Sequence, residues 1–275
     1  MGYNLLKGKK GIIFGALNEQ SIAWRVAERV VEEGAEIILT NTAVSLRLGE
    51  ISRLAEKCNS PVIAADATNV EELDSLISQS LEHFGGKIDF VLHSIGMSPN
   101  VRKNIGYEEL NYAFLDKTLD ISAVSFHKLL QTLYRHDAVN EWGSIVALTY
   151  MAAQRTFVGY NDMADAKALL ESIARSFGAI YGRERKVRIN TVSQSPTLTT
   201  AGRGVAGMGG MLDFAEAMSP LGNADADDCA NYVVTLFSDL TRKVTMQNLY
   251  HDGGFSNMGL SEAVYNTYQL GKERE

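Results

Sequence analysis

Two textures of apolar and polar positions recur along this chain. One is the short continuous apolar run, and the other is a longer stretch with an apolar residue every third or fourth position. The first run, Gly11-Ile12-Ile13-Phe14-Gly15, reads as a buried strand ending in glycine. From Ser21 to Glu33 the residues Ile22, Ala23, Val26, Ala27 and Val30 keep helical spacing, and Gly34 stands where a helix C-cap belongs. Ala35-Glu36-Ile37-Ile38-Leu39-Thr40 is a β-rich run, which completes a βαβ unit at the start of the chain. The alternation then continues as a helix over 44–57, a strand over 61–65, a helix over 70–84 and a strand over 88–93. Residues 106–135 read as one or two helices, followed by a strand over 143–149. A helix from near Tyr160 to Tyr181, a strand over 186–193, a helix over 225–240 and a strand over 248–250 complete the pattern, and Asp252-Gly253-Gly254 closes it. The polar tail after Tyr268 is expected to fray. With no repeat, linker or break in composition, the pattern predicts a single domain over 1–275, an α/β protein with a doubly wound, mostly parallel sheet.

Composition changes this picture only by exclusion. Hydrophobic residues make up 45% and charged residues 21% of the 275, the balance of a soluble globular protein large enough to bury a substantial core. A net charge of −7 argues against nucleic acid and anionic membrane surfaces as partners, since both call for a positive patch. The chain holds no apolar run long enough to span a bilayer, and no basic segment followed by an apolar one marks the N-terminus for export, so a cytoplasmic setting is expected. Position 6 is leucine, not the Ser or Thr of a myristoylation signal. Cys58 and Cys229 are isolated, which fits a reducing compartment. The five histidines show no ligand spacing, and no metal site is expected.

Candidate chemistry centres on residues 148–170. Tyr160 and Lys167 stand seven positions apart. On a helix that is two turns less about 20°, so both side chains share one face roughly 10 Å apart along the axis. A cation near a phenol favours the phenolate and strengthens the hydroxyl as a donor to an oxygen gaining charge. A half-buried tyrosine and a snorkelling lysine give the same spacing. The turn after the first strand keeps only Gly15 of a G-x-G-x-x-G phosphate turn, with Asn18, Ser21 and Ala23 at the later positions. Ser21 serves there either as a plain N-cap or as a donor to a phosphate. Asp66 at the end of the third strand is either the N-cap of the next helix or a contact to adenine. No acid follows the second strand to hold a ribose 2′-hydroxyl and only Arg47 is near for a 2′-phosphate, which leaves NADH and NADPH both open. Five glycines between Gly202 and Gly210 suggest a mobile loop over the site.

The βαβ start, the Y-x6-K helix after a central strand and the terminal D-G-G together resemble the short-chain dehydrogenase/reductase family, which implies a Rossmann-type sheet binding a nicotinamide dinucleotide. One departure sharpens the likeness. Ordinary members place a catalytic serine about 12 to 14 residues before the tyrosine, where this chain has Leu148, Ala147 and Val146, while Tyr150 stands ten residues before Tyr160. With Gly15, Ser21, Ile22 and Ala23 in the turn, His93-Ser94-Ile95-Gly96 at a strand end and Leu148-Thr149-Tyr150, the chain resembles the divergent branch of bacterial enoyl-[acyl-carrier-protein] reductases over nearly its whole length.

That resemblance implies hydride transfer to the β-carbon of a trans-2-enoyl thioester in fatty-acid elongation, with NADH as cofactor and NADPH as the alternative. It makes Tyr160 the donor to the enolate oxygen, Lys167 the residue on the nicotinamide ribose, and Tyr150 a second active-site tyrosine in substrate contact or proton relay. It assigns Gly15, Ser21 and Ile22 to the phosphate turn, Thr42, Asp66 and Ala67 to the adenosine side, Ile95 and Gly96 to the ribose, and Thr197, Leu198, Thr199, Thr200 and Ala201 to the nicotinamide. Ser98 would contact the acyl substrate, and the loop near 197–218 would order over it. A homotetramer acting on acyl carrier protein or coenzyme A thioesters is the corresponding expectation. Ser195 and Thr197 depart from the family's S-x-G-P-[IV]-x-T. A carbonyl reductase of the same fold is disfavoured by the missing serine, and a non-catalytic dinucleotide-binding module by the retention of Tyr160 and Lys167.

Overall fold

Each apolar run becomes a strand of one sheet in the computed structural model, which describes residues 2–199 and 208–273. The strands are β1 (Lys10–Phe14), β2 (Glu36–Asn41), β3 (Val62–Ala64), β4 (Ile88–His93), β5 (Val139–Thr149), β6 (Arg188–Gln194) and β7 (Asn248–His251). They lie in the order β3-β2-β1-β4-β5-β6-β7, and every neighbouring pair is parallel. The chain's progress across the sheet reverses between β1 and β4. At such a reversal the connections leave on opposite faces, and a crevice opens beyond the carboxyl ends of the strands.

Helices cover both faces: α1 (Ile22–Glu32), α2 (Ala43–Leu48), α3 (Ile51–Cys58), α4 (Val70–Phe84), α5 (Pro99–Arg102), α6 (Tyr112–Leu119), α7 (Ser125–Arg135), α8 (Asn161–Arg185), α9 (Met208–Met218), α10 (Ala226–Phe237) and α11 (Glu262–Lys272). The two-residue period of a strand divides its side chains between the layers. Ile12 and Phe14 join the core that includes Leu73 of α4, Leu129 of α7 and Leu170 of α8, while Ile13 joins the one with Val26 of α1, Leu54 of α3 and Val233 of α10. A third, smaller cluster gathers Tyr150, Met218 and Phe255 beside the crevice.

Several boundaries differ from those expected. The helix anticipated over 44–57 is broken in two at Gly49, which is extended (φ −100, ψ −179) and follows α2 as its C-cap. A Cβ at Gly49 would lie 2.7 Å from the Leu17 carbonyl, so glycine is what lets the loop after β1 dock here and accept the Glu50 amide (2.8 Å). Strand β5 starts four residues early, at Val139, because the chain pairs with Ile88 across an irregularity before the regular ladder begins at Ser144. The helix expected to end at Tyr181 runs on as α8 to Arg185 and stops at Lys186 in a left-handed conformation (φ 54). The predicted helices of residues 106–135 are α6 and α7, joined through a π-helical turn over Asp120–Val124.

Of the tail after Tyr268 that was expected to fray, residues 269–272 continue the helix α11 (Glu262–Lys272), and 274–275 lie outside the described part. Ser261 caps the helix by accepting the Val264 amide (3.2 Å) and donates to the Ala217 carbonyl of α9 (2.6 Å). Val264 packs beside the Tyr150, Met218 and Phe255 cluster, so the anchoring lies at the start of the helix. Of the anticipated loop over 197–218, residues 200–207 lie outside the described part, and 208–218 form α9.

Candidate active site

At the end of β1 the backbone turns through Gly15, whose φ of +96 favours glycine, and a Cβ there would lie 2.0 Å from the Ser94 carbonyl oxygen at the end of β4. Ser21 follows as the N-cap residue of α1, yet its hydroxyl does not cap the helix. It donates to the Asn18 carbonyl (2.7 Å) and accepts the Leu17 amide (3.2 Å), folding the loop back on itself. The Ser21 side chain makes no capping bond to α1, and no acid occupies its first turn. A helix N-terminus left open in this way, beside a turn with room for backbone approach, suits a phosphate. The plain N-cap reading of Ser21 is therefore not realised.

A cavity of about 270 Å³ extends from this turn, lined among others by Gly15, Ser21, Ile22, Ile95, Gly96 and Lys167. Tyr150, Tyr160, Ser98, Thr197 and Thr199 face the same space. Two elements bring the chemistry together: β5 delivers Tyr150 at its carboxyl end, and Tyr160 stands at the N-cap of α8 with Lys167 two turns along. The Tyr150 and Tyr160 rings lie 4.9 Å apart between centroids, tilted by 53°, and Phe157 packs edge-on against Tyr150 at 5.4 Å. Both phenols are pushed well above the ordinary range by burial, Tyr150 further by Tyr160 and Asp252. The Tyr150 hydroxyl is buried without a hydrogen-bond partner among the described residues. Such a group costs free energy unless a ligand satisfies it.

Lys167 is 7% exposed and points its Nζ at the carbonyls of Leu148 (2.9 Å) and Ile95 (3.4 Å), the ends of β5 and β4. Two of its three N–H groups are thus committed and one is left for a ligand. Burial lowers its pKa to about 8, opposed by the nearby Glu171 carboxylate. This corrects the simple picture of an ammonium drawing Tyr160 toward the phenolate. The cation is held by backbone carbonyls, and burial alone sets the direction at Tyr160, keeping the phenol protonated as a donor. A Cβ at Gly96 would stand in ordinary contact with the ammonium, 3.5 Å from Nζ.

The other expected positions fall around this centre. Thr42, Asp66 and Ala67 sit at the carboxyl ends of β2 and β3, outside the cavity lining. Thr42 caps α2 by accepting the Ser45 amide (3.2 Å). Asp66 is not the cap of α4, since Asn69 takes that place, and its Oδ1 accepts the Thr68 amide and hydroxyl (2.8 and 2.7 Å). Leu198 is 46% exposed and off the cavity, while Thr200 and Ala201 lie outside the described residues. Ser98 is a wall residue whose hydroxyl accepts the Val101 amide (3.0 Å) and donates to Asp162 (2.6 Å). The departure at Ser195 is absorbed structurally, its Oγ accepting the Ala224 amide (3.1 Å), and Thr197 donates to the Ser195 carbonyl (3.0 Å).

Sequence reasoning missed the pairings of three buried polar residues. Glu171, 3% exposed, accepts hydrogen bonds from Thr149 (2.9 Å) and Gln154 (2.7 Å) one turn beyond Lys167. His93, fully buried, is lowered to about 3 by burial and the Lys167 charge, and its Nε2 meets Ser125 at 2.9 Å. Asp162 accepts three side-chain donors. The i+4 spacing from Lys167 was a signal for Glu171; His93 was read only as part of the strand-end motif, without its Ser125 partner, and Asp162 pairs across long sequence separations that left no signal.

The reversed parallel sheet, the glycine turn onto a helix that Ser21 does not cap and the tyrosine–lysine helix beside it define a dinucleotide-binding oxidoreductase of the short-chain dehydrogenase/reductase kind. Comparison with known proteins narrows this. The model of the Enoyl-(Acyl carrier protein) reductase family matches residues 15–256. Among curated proteins, Enoyl-[acyl-carrier-protein] reductase [NADH] 2 of Rhizobium meliloti (strain 1021) is 32% identical, covering 92% of this chain and 93% of that protein. The FabI enzyme of Neisseria meningitidis serogroup B (strain ATCC BAA-335 / MC58) is 33% identical over 95% of this chain and 99% of its own. Among solved structures, the FabI–NADH complex from Alistipes finegoldii is 74% identical with a TM-score of 0.95, covering 97% of this chain and 94% of that one. The chain belongs to the enoyl-(acyl carrier protein) reductase family.

Proposed function

We propose that this protein is an enoyl-[acyl-carrier-protein] reductase that uses NADH to reduce the carbon–carbon double bond of a trans-2-enoyl thioester, with Tyr160 as the donor to the enolate oxygen. The observation that carries the tyrosine assignment is the pair of phenols packed at a tilt in the cavity, one with its hydroxyl buried and unpartnered among the described residues, where neither Leu148, Ala147 nor Val146 offers a serine hydroxyl. The residues fit the cofactor: Gly15 and the open N-terminus of α1 suit its pyrophosphate, and Lys167 holds one free N–H beside Gly96 for ribose hydroxyls. When bound, the cofactor supplies the hydride.

Addition of hydride at the β-carbon moves the double-bond electrons onto the thioester oxygen as an enolate, and the α-carbon then takes a proton. A protonated phenol facing that oxygen is a preorganised donor, worth a few kcal/mol where water is excluded. Tyr160 serves as that donor and Tyr150 offers a second hydroxyl over the same space. Lys167, mostly charged at neutral pH with its pKa near 8, keeps the local potential positive.

The substrate is an acyl carrier protein thioester, with coenzyme A thioesters as surrogates. We further propose that the chain acts as one domain, assembles as a homotetramer and works in the cytoplasm, and among the described residues no helix is long and apolar enough to cross a membrane. The test is the loss of reduced-nicotinamide absorbance with an enoyl thioester, run with wild type and Tyr160→Phe. Reduction that is fast in wild type and about 10²-fold slower in Tyr160→Phe is expected; equal rates would remove the tyrosine from the mechanism, and faster turnover of 3-oxoacyl thioesters would favour carbonyl reduction.

A further inference from the structure

The cavity has two walls that approach from different parts of the chain. One is the segment from the end of β4 through Ser98 and Val101 of the β4–α5 region, and the other is the start of α8 with Tyr160, Met163 and Lys167. Between them lies Asp162, fully buried in the first turn of α8. Its Oδ1 accepts the Ser98 hydroxyl at 2.6 Å, and its Oδ2 accepts Asn100 Nδ2 at 2.8 Å and faces Thr118 Oγ1 at 2.8 Å. Thr118 also lies 2.8 Å from the Phe114 carbonyl, so its single hydrogen is shared between two acceptors. Ser98, Asn100 and Thr118 are each 3% exposed or less.

No cation pairs with this carboxylate among the described residues. An isolated buried charge is costly, and here the compensation comes from donors and from the amino end of α8. Those donors belong to three places in the chain, 64, 62 and 44 residues away, and all of them are used to tie one helix start to one loop and one further helix. The same loop is held elsewhere by Lys167 on the Ile95 carbonyl and by Ser122, from the π-helical turn, on the Met97 amide (3.0 Å). Asp162 completes this set at the substrate end, two residues from Tyr160.

We propose that Asp162 is a positioning residue that fixes the Ser98–Asn100 wall against the start of α8, and so sets the place of the enoyl thioester relative to Tyr160. The proposal rests on the reading of the cavity as an enoyl thioester site. Asp162 is fully buried and outside the cavity lining, so it acts through the residues it holds. The phosphate turn at Gly15 and Ser21 lies on other elements, and the ribose side at Ile95 and Gly96 is held separately by Lys167 and Ser122, so the effect of removing the carboxylate falls on the thioester and spares the dinucleotide.

Asp162→Asn keeps the shape while turning one acceptor into a donor that faces donors. With active sites counted by NADH titration, kcat/KM for a 2-enoyl thioester is expected to fall about tenfold or more, while the NADH Kd stays within about twofold. Adding Ser98→Ala to Asp162→Asn is expected to cost less than about twofold further, because both remove the same tie. Parallel loss of NADH affinity and thioester turnover would overturn the proposal, as would a lowered melting temperature with kcat/KM per site unchanged; either result makes Asp162 a fold-stabilising group only. Should Asp162→Asn not fold, the isosteric Thr118→Val removes one donor, and the same two quantities decide, with a fall of about threefold in thioester kcat/KM expected and no change overturning. Failure of the underlying reading shows separately, as absent enoyl thioester turnover in the wild type.

Discussion

Lys167 is the side chain whose surroundings make the sharpest demand on pH. Buried against two carbonyls with its pKa lowered to about 8, it loses its charge as pH rises through that value, well below the pH at which an exposed lysine would. NADH affinity, measured by fluorescence titration on the free enzyme, is therefore expected to weaken above about pH 8; affinity unchanged to pH 10 would contradict the assignment of Lys167 to the ribose. Glu171 opposes the lowering, so Glu171→Gln should move the onset to lower pH. Gly15→Ala would force a methyl group to 2.0 Å from the Ser94 carbonyl at a φ of +96, and should cost about 1–3 kcal/mol with loss of NADH binding, read by thermal melts and titration. Gly15, Tyr160 and Lys167 were legible in the chain because each belongs to a local spacing. The Asp162 cluster and the Ser125 partner of His93 were not, because a buried polar residue declares itself only when partners tens of residues away arrive.

Helices and strands followed the apolar periodicity closely where burial is one-sided or complete, as in β4 and α4, whose predicted limits coincide with the observed ones. The misreadings share a cause: tertiary contact overrode local texture. Gly49 breaks a periodic helix because Leu17 docks on it, and α11 carries the chain past Tyr268 because Ser261 and Val264 bind its start to α9 and the cluster below. Ser261→Ala removes both the cap and the bond to Ala217. It should cost about 1 kcal/mol, a fall of about 2–4 °C in melting temperature. Faster amide exchange across α9, followed by mass spectrometry, is the accompanying expectation, and exchange changed only in α11 would mean the two helices are not coupled.

The whole molecule is an arrangement for placing two strand ends and one helix start around a single cavity. The reversal of strand order between β1 and β4 opens the crevice, β5 brings Tyr150 beside it, and α8 spans from Tyr160 at the cavity to Arg185 at the far end of the sheet. The architecture was readable from the order of runs, and the residues proposed for the chemistry from Tyr150 ten positions before Tyr160, with no serine at 146–148. Binding of the proposed cofactor NADH to the folded chain at about a hundred times Kd should add roughly 2.7 kcal/mol of stability, seen as a rise in melting temperature. The most direct test of the account remains the assay of enoyl thioester reduction. NADH consumption that depends on a trans-2-enoyl thioester, exceeds that with the matching 3-oxoacyl thioester and drops about 10²-fold in Tyr160→Phe is the predicted result. No turnover of any enoyl thioester with NADH or NADPH would contradict it.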